Sequence, residues 1–257
     1  MNDSEILVDR DGAIATVTMN RPHKLNSLSP SMYEHLITAF RRLSDDDSVR
    51  VVILTGAGRS FCAGSDIASL TDLHHSHLPV RAEQTIASFP KPVIAAIRGN
   101  CLGGGCQLAT AADIRLAADD SHFGIPPAKL GIVYPLSATR RLISLIGPAG
   151  TKYLIYTGDR INATRALHLG LVDELVMPGL LWERAQQLAV TIASRSQLTL
   201  QATKQIVDAH TEDTLTEELV SSWVREAACG PDLPEGMAAF AARRPPSFTW
   251  THPRSGG

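Results

Sequence analysis

The stretch RGNCLGGGCQLA, residues 98–109, decides the fold of this 257-residue chain. It follows the short apolar run Val93–Ile97, which predicts a buried strand, and it leads into a helical pattern. A turn between a strand and a helix leaves several backbone N–H groups without intrahelical partners, and the helix dipole there favours negative charge. Because glycine has no side chain, a ligand can approach such a turn closely. The stretch therefore predicts a strand–turn–helix unit that can bind an anion or a carbonyl oxygen.

A second stretch, SFCAGSDI at residues 60–67, follows another β-branched run and has the same character. Two such turns that face one another would place their N–H groups around one oxygen atom, as an oxyanion hole. Reactions at the α-carbon of a thioester need such a site because the carbonyl oxygen becomes an enolate oxygen, and one donor is typically worth about 3–4 kcal/mol. Taken singly, each stretch is more simply interpreted as a structural glycine turn.

The first half of the chain repeats a short β-branched run, a glycine-bearing loop and a helix. The runs lie at residues 13–19, 49–55, 93–97 and 113–118. Strands separated by helical stretches need crossover connections, which predicts an α/β fold. A helix is expected to begin with Ser29 as its N-cap and Pro30 at the first helical position.

The end of the chain predicts helices in succession. Amphipathic patterns lie at residues 181–193, 198–209, 215–227 and 235–242. We therefore expect a core over residues 1–195 and a helical C-terminal region over residues 196–257 that caps the core or mediates assembly. Between the strands, residues 73–79 contain three histidines and a proline, which favours a mobile surface loop.

Composition excludes several classes of function. The net charge of −2 and the pI near 6.5 do not suggest a nucleic-acid-binding surface. The four cysteines form no C-x-x-C pair, which favours reduced thiols over a disulfide framework. The first residues resemble no signal peptide, and the apolar runs are too short to span a bilayer. We expect a cytoplasmic protein without membrane contact. The glycine-rich stretches complete neither a dinucleotide-binding nor a P-loop motif.

Together, the two glycine turns and a series of flanking motifs resemble the crotonase superfamily, the enoyl-CoA hydratase/isomerase family. The similarity covers almost the whole chain in order. Its further motifs are NRP at residues 20–22, LN at 25–26, VILTG at 52–56, KPVIAA at 91–96, ADI at 112–114, LGI at 130–132, TGD at 157–159, GLVD at 170–173 and EGM at 235–237.

The resemblance implies a spiral of ββα units followed by a helical C-terminal part, assembled as trimers or dimers of trimers. The substrate is expected to be an acyl-CoA thioester, with no tightly bound cofactor beyond the coenzyme A of the substrate and no metal. By position, the oxyanion donors fall on the N–H groups of Ala63 and Gly104. The predicted coenzyme A contacts are Arg21, Lys24, Leu25, Ser65, Asp66 and Ile67, with Phe240 and Arg243 reaching a coenzyme A in the neighbouring subunit. Simpler interpretations stay open: Lys24 and Arg243 as solvated charges, Asp66 as a helix cap, and Phe240 as a core residue.

Two positions depart from the family pattern. The hydratases use two glutamates to hold and split water, and the matching positions here are Gln107 and Pro127. An amide positions water but cannot take its proton, and proline has no polar side chain. Because acid–base help is worth about 10²–10⁴ in rate, efficient hydration by the usual route is not expected. Isomerases that rely on the second glutamate are disfavoured for the same reason.

Tyr134 points to a different reaction. Its setting, LGIVY at residues 130–134, resembles the methylmalonyl-CoA decarboxylase branch, which carries a tyrosine here. Decarboxylation needs mainly enolate stabilisation, and Tyr134 could orient the substrate carboxylate or return a proton. Against this, that branch has a histidine where this chain has Ser65 and a glutamate where it has Gln107. Three interpretations remain: an acyl-CoA enzyme with altered chemistry, a malonyl-type decarboxylase that uses Tyr134, and a catalytically silent CoA-ester binding protein. Tyr134 is also consistent with a residue that only lines the acyl pocket.

The histidines at positions 74, 75 and 77 leave further alternatives. A flexible loop is the simplest interpretation, followed by an acid or base in the acyl pocket and then by a metal site, which would need three or more convergent ligands. Cys62 and Cys106 adjoin the two turns, where a helix N-terminus can lower a thiol pKa. Since no partner base is evident, we expect these cysteines to serve in packing.

Overall fold

The computed structural model describes residues 4–251, apart from the side chains of Thr71, His74 and His75. The strands are β1 Ile6–Asp11, β2 Ile14–Met19, β3 Val51–Gly56, β4 Val93–Ile97, β5 Asn100–Leu102, β6 Ile114–Ala118, β7 His122–Gly124, β8 Arg160–Asn162 and β9 Glu174–Val176. The α-helices are α1 Pro30–Ser44, α2 Leu70–Ser76, α3 Leu78–Ala87, α4 Gly104–Ala111, α5 Leu136–Thr157, α6 Ala163–Leu169, α7 Leu181–Ala193, α8 Gln197–Thr211, α9 Glu217–Cys229 and α10 Asp232–Ala241.

The strands form two sheets in the described part of the chain. The larger has the order β1-β2-β3-β4-β6-β9, and only its β1–β2 pair is antiparallel. The smaller has the order β5-β7-β8, with β5 parallel and β8 antiparallel to β7. The predicted α/β class is confirmed, and each predicted β-branched run contains a strand.

The central strands are covered on both faces, as parallel sheets usually are. Along β3, Val52 and Leu54 face a core shared with α1, α3 and α4, whereas Val51 and Ile53 face α7. All four side chains are fully buried. Burial on both faces explains why β3 is a continuous apolar run rather than an alternating one.

Helix α1 begins as the sequence predicts. The Ser29 side chain accepts a hydrogen bond from the Met32 N–H at 3.2 Å, and Pro30 occupies the first position, where no N–H partner is required. At the other end, the Lys91 Nζ donates to the carbonyl oxygens of Leu43, Ser44 and Asp46 at 3.1, 3.2 and 2.7 Å. The buried ammonium group thus adds a donor to the Ser44 carbonyl and supplements the N–H bonds that the Leu43 and Asp46 carbonyls accept from Asp46 and Val49.

Lys91→Met is expected to lower the free energy of unfolding by about 1–3 kcal/mol, because it removes the three hydrogen bonds that the buried ammonium group donates at the end of α1. Urea unfolding, compared at equal slope with the wild type, measures the loss. Lys152→Met is the matched control: Lys152 is exposed on α5, and its substitution should change stability by no more than about 0.5 kcal/mol. Equal stability of the two variants would show that the capping bonds contribute nothing.

The prediction of a loop at residues 73–79 is wrong. This segment contains the end of α2 and the start of α3, joined at His77, whose φ of 55° is left-handed. Pro79 does not break α3 because it lies in the first turn, where its missing N–H has no partner to lose. Leu73 and Leu78 are buried and anchor the two helices on the core. The predicted tail helices are confirmed as α7 to α10.

In the described residues, no helix combines the length and the apolar character needed to cross a membrane. From Gln197 to Ala241 the chain consists of α8, α9 and α10 with their connections. The proposed division near residue 195 stays a prediction.

Candidate active site

The two glycine turns lie side by side. Cys62 and Cys101 form a parallel bridge, in which the Cys62 N–H donates to Asn100 O and the Leu102 N–H donates to Cys62 O, both at 2.9 Å. The second turn opens α4 at Gly104, as expected. The first turn opens a short 3-10 helix at Ile67 instead, so Ala63, Gly64 and Ser65 lie before the helix start.

Close contact between the turns requires glycine. A Cβ on Gly104 would lie 2.6 Å from the Tyr33 Oη, 3.1 Å from the Ser65 Oγ and 3.3 Å from the Ser65 N. A Cβ on Gly105 would lie 2.5 Å from the Cys62 carbonyl oxygen. Because real Cβ atoms do not approach this closely, the sequence GGG allows the backbone of the second turn to pack directly on the first.

The predicted donor at Ala63 is corrected by the structure. The Ala63 N–H donates to the Leu25 carbonyl at 3.0 Å and is therefore occupied. On the same segment, the Gly64 carbonyl and the Asp66 N–H bond to Leu28 at 2.8 and 2.9 Å, so the Ser65 N–H between them points the other way, toward Gly104.

Two N–H groups remain available where the turns meet. Within the described residues, neither the Ser65 N–H nor the Gly104 N–H donates a hydrogen bond. The Gly104 N–H is at the first position of α4, where a helix supplies no acceptor. Such a pair is suited to bind an oxygen atom that carries negative charge.

Both donors lie at the wall of a cavity of about 710 Å³, within the range of small-molecule sites. Much of its lining is apolar and comes from α2, α3 and the segment before α5. The apolar lining includes Leu70, Leu73, Val80, Ile132, Val133 and Leu136. The polar lining includes Ser65, Gln107, Ser137, Arg140, Arg141 and Glu212.

Gln107 faces the cavity from α4 and is held by a buried carboxylate. Its Nε2 donates to Glu83 Oε2 at 3.1 Å and to the Pro79 carbonyl at 3.4 Å. Glu83 is fully buried and also accepts from Ser137 Oγ at 2.7 Å and Arg141 Nε at 3.0 Å. Because both acceptors surround Nε2, the Gln107 Oε1 is left without a partner among the described residues. Gln107 therefore presents a hydrogen-bond acceptor, its Oε1, to the cavity.

Tyr134 and Pro127 also line the cavity. The Tyr134 hydroxyl donates to the Gly103 carbonyl at 3.3 Å, next to the second turn. Burial raises the pKa of Tyr134 well above its usual value, and the neighbouring Cys106 and Glu83 raise it further. The phenol therefore keeps its proton and acts as a donor. Pro127 begins a 3-10 helix and offers no polar group at the second glutamate position.

A model of the enoyl-CoA hydratase/isomerase family matches residues 9–251. The chain belongs to this family. Its members are acyl-CoA enzymes of the hydratase or isomerase class, and membership alone leaves the reaction of this chain open.

Individual relatives match over nearly their full length. The crotonyl-CoA hydratase of Syntrophomonas wolfei is 34% identical over 252 residues, which is 95% of this chain and 97% of that protein. The crystal structure of an enoyl-CoA hydratase from Bacillus anthracis has a TM-score of 0.89 at 32% identity and covers 95% of this chain and 99% of that one. An enoyl-CoA hydratase/carnithine racemase of Magnetospirillum magneticum has a TM-score of 0.91 at 34% identity, with 96% of each chain covered.

Some of the predicted coenzyme A contacts of this enoyl-CoA hydratase/isomerase family member lie together at one side of the cavity. Arg21 donates to Asp66 at 2.7 Å, which joins the loop after β2 to the first turn. The pKa of Asp66 is lowered, chiefly by this bond and then by the Ala68 N–H that it caps. Ser65 and Ile67 line the cavity, and Ile67 is 76% exposed. The cap role of Asp66 is therefore real, and its coenzyme A role stays a prediction.

Lys24 and Leu25 are exposed on the loop that packs on the first turn, and Leu25 has a left-handed φ of 51°. Phe240 and Arg243 lie at the end of α10 and do not line the cavity of their own chain. Phe240 is 89% exposed, so the interpretation of Phe240 as a core residue is wrong. Contacts of these residues with coenzyme A, and assembly into trimers, stay predictions.

The structure bears on the prediction for His77 but not on the predictions for His74 and His75. His77 is exposed and lines the cavity, whereas the side chains of His74 and His75 lie outside the described residues. Among the side chains that the structure describes, no three His, Cys, Asp or Glu residues gather as metal ligands would. Cys62 and Cys106 are buried, and burial raises the pKa of the Cys62 thiol to about 12, consistent with a packing role.

Two polar residues at the site were missed. Glu83 lies on α3 between the buried Ala82 and Ile86. A charged residue on the inner face of an amphipathic helix is unusual, and this pattern in the sequence could have identified Glu83 as a site residue. Tyr33 lies on the inner face of α1 and was assigned no role from the sequence. Its fully buried hydroxyl contacts Ser65 Oγ at 2.8 Å.

Proposed function

We propose that this enoyl-CoA hydratase/isomerase family member binds an acyl-CoA thioester with its carbonyl oxygen between the N–H groups of Ser65 and Gly104. The enolate formed when the α-carbon reacts is stabilised there. The observation that carries the proposal is this pair of unoccupied donors, on two turns in contact, at the wall of the cavity. Each donor is expected to contribute about 10²–10³ in rate.

The chemistry at the α-carbon is not the usual two-glutamate hydration. Gln107 can accept a hydrogen bond from water or a hydroxyl group, but its amide cannot remove a proton. Pro127 can do neither. Among the described residues that line the cavity, Glu212 is the one carboxylate, and it lies 3.6 Å from Arg141, with which it forms an ion pair. The proposed reaction is therefore one that forms an enolate without a carboxylate base beside the substrate.

A second, more specific candidate is the decarboxylation of a malonyl-type CoA thioester, which the protonated Tyr134 favours. In this step the bond between the α-carbon and the carboxylate breaks, CO₂ leaves, and the electron pair enters the enolate. The α-carbon then takes a proton, which Tyr134 can deliver and regain from solvent. Neutral donors also suit a substrate that carries its own negative charge, because a carboxylate beside it would repel it.

A three-substrate panel tests the function: hydration of crotonyl-CoA, isomerisation of a 3-enoyl-CoA and decarboxylation of methylmalonyl-CoA. We expect hydration at least about 10²-fold below that of a two-glutamate hydratase. Turnover in the decarboxylation arm alone supports the second candidate. Hydration at ordinary rates would contradict the argument from Gln107 and Pro127, and tight binding of every thioester without turnover would mean a silent CoA-ester binding protein.

If decarboxylation is found, Tyr134→Phe should lower its rate by about 10²-fold, because the variant removes the proton donor and keeps the ring. The measurement is CO₂ release at saturating methylmalonyl-CoA. Tyr156→Phe is the matched control, since Tyr156 lies on α5 with 73% of its surface exposed. An unchanged rate for Tyr134→Phe removes this tyrosine from the mechanism and leaves it as a wall of the cavity.

A further inference from the structure

Besides the Ser65 hydroxyl, the hydroxyl group of Tyr33 lies close to the two backbone donors. Tyr33 reaches from α1 to the meeting point of the turns, where its Oη is 2.8 Å from the Ser65 Oγ. The position of a Cβ on Gly104 is 2.6 Å from the Tyr33 Oη and 3.1 Å from the Ser65 Oγ. Both hydroxyl groups therefore lie against the residue that supplies the second N–H. Ser65 lines the cavity, and Tyr33 does not.

The direction of the hydrogen bond follows from burial. Tyr33 is fully buried, and burial raises the pKa of its hydroxyl, so the group keeps its proton. A buried O–H without an acceptor costs about 1–3 kcal/mol. Among the described residues, the Ser65 Oγ is the acceptor within reach. Tyr33 therefore donates to Ser65, and the Ser65 proton is free for another acceptor.

We propose that the Ser65 hydroxyl is a third hydrogen-bond donor to the thioester oxygen, and that Tyr33 is a positioning residue that holds it in this role. The inference rests on the proposed function, because it assumes that the oxygen lies between the N–H groups of Ser65 and Gly104. Ser65 then offers two donors from one residue, its N–H and its O–H. In the described residues no protein acceptor competes for the Ser65 hydroxyl proton.

Acetoacetyl-CoA provides a test that does not depend on knowing the reaction. Its enolate absorbs in the near ultraviolet, so the ratio of enolate to keto form in the bound ligand can be measured at fixed pH. We expect Ser65→Ala to lower this ratio by about 100-fold, the lower end of the range for loss of an oxyanion donor. Tyr33→Phe should lower it by less, because Ser65 keeps its hydroxyl but loses its fixed orientation.

The double variant separates positioning from mere packing. If Tyr33 acts through Ser65, adding Tyr33→Phe to Ser65→Ala changes the ratio no further. If Tyr33 only supports the fold, the second substitution lowers the ratio by the same factor in both backgrounds, which overturns its role. Ser121→Ala is the matched control, since it removes a buried hydroxyl that donates to the Ile97 carbonyl away from the cavity.

The same measurement distinguishes two kinds of failure. A wild-type protein that binds acetoacetyl-CoA without enriching its enolate contradicts the proposed function itself. A wild-type protein that enriches the enolate, with Ser65→Ala equal to it, contradicts only the third donor. Melting temperatures of all variants, taken without ligand, identify any loss of ratio that comes from unfolding.

Discussion

Gly104→Ala is expected to reduce turnover of the acyl-CoA substrate by about 10²–10³-fold, the effect of losing one oxyanion donor. The added Cβ would lie 2.6 Å from the Tyr33 Oη and 3.1 Å from the Ser65 Oγ, so the two turns must move apart. The N–H groups of Ser65 and Gly104 then no longer face the same oxygen. Two measured quantities should fall together: turnover of the thioester that the wild type converts in the three-substrate panel, and the ratio of enolate to keto form in bound acetoacetyl-CoA.

A clash at a buried site also threatens folding, so a second variant is needed. Tyr33→Phe removes the hydroxyl that the new methyl group would meet, and the pair Tyr33→Phe with Gly104→Ala should regain stability. The added Cβ would still lie 3.1 Å from the Ser65 Oγ and 3.3 Å from the Ser65 N, so turnover should stay low while stability returns. Recovery of turnover as well would mean that displacement of the donors was not the cause of the loss. Gly179→Ala controls for the glycine change itself, because a Cβ there meets no atom within 4 Å. It should leave turnover unchanged.

The positions of the two turns could be predicted from the sequence, but the donor on the first turn could not. A glycine pattern does not say which of the N–H groups of Ala63 and Ser65 faces the second turn, because Gly64 between them has a left-handed φ of 106° that breaks the regular alternation of an extended segment. What separates them is the partner: Ala63 bonds to Leu25, whereas Ser65 has its neighbours bonded to Leu28. That pairing depends on the path of a loop almost 40 residues earlier, which no local pattern contains.

The buried polar groups show a related limit. Hydrophobic periodicity located α1 and predicted the strands beneath it, because burial of an apolar face dominates helix placement. It cannot say which polar atom on that face meets a partner from another element. Glu83 and Tyr33 are buried by contacts from α4, α5 and the first turn, and these contacts exist only in the folded chain.

Gln107→Glu is expected to destabilise the protein at neutral pH by about 1–3 kcal/mol, and this departure from the family pattern has a physical cause. The Gln107 amide donates to the fully buried Glu83 at 3.1 Å. A glutamate in its place would put two carboxylates at that distance, with Arg141 as the cation beside them. Two carboxylates that share a buried site cannot both ionise without cost, so one of them acquires a strongly raised pKa.

The sign of the pH dependence follows from that raised pKa. A carboxyl group whose pKa is higher in the folded than in the unfolded state binds its proton more tightly when folded. The variant is therefore least affected below the unfolded pKa of about 4.3, and it loses stability as the pH rises through the folded pKa. Urea unfolding of the variant and the wild type at a series of pH values between 4 and 8 measures this difference. A difference that stays constant over the series would mean that the two side chains do not interact.

Exchanging the two residues tests the pair directly. Glu83→Gln combined with Gln107→Glu keeps one carboxylate and one amide in the same contact, and it should recover most of the stability that Gln107→Glu loses. It also moves the negative charge from the buried α3 position to the cavity wall on α4, where the hydratases carry their first glutamate. Crotonyl-CoA hydration should still be weak, because Pro127 supplies no second carboxylate. Recovery of stability together with full hydration would show that Gln107 alone, and not Pro127, limits this reaction.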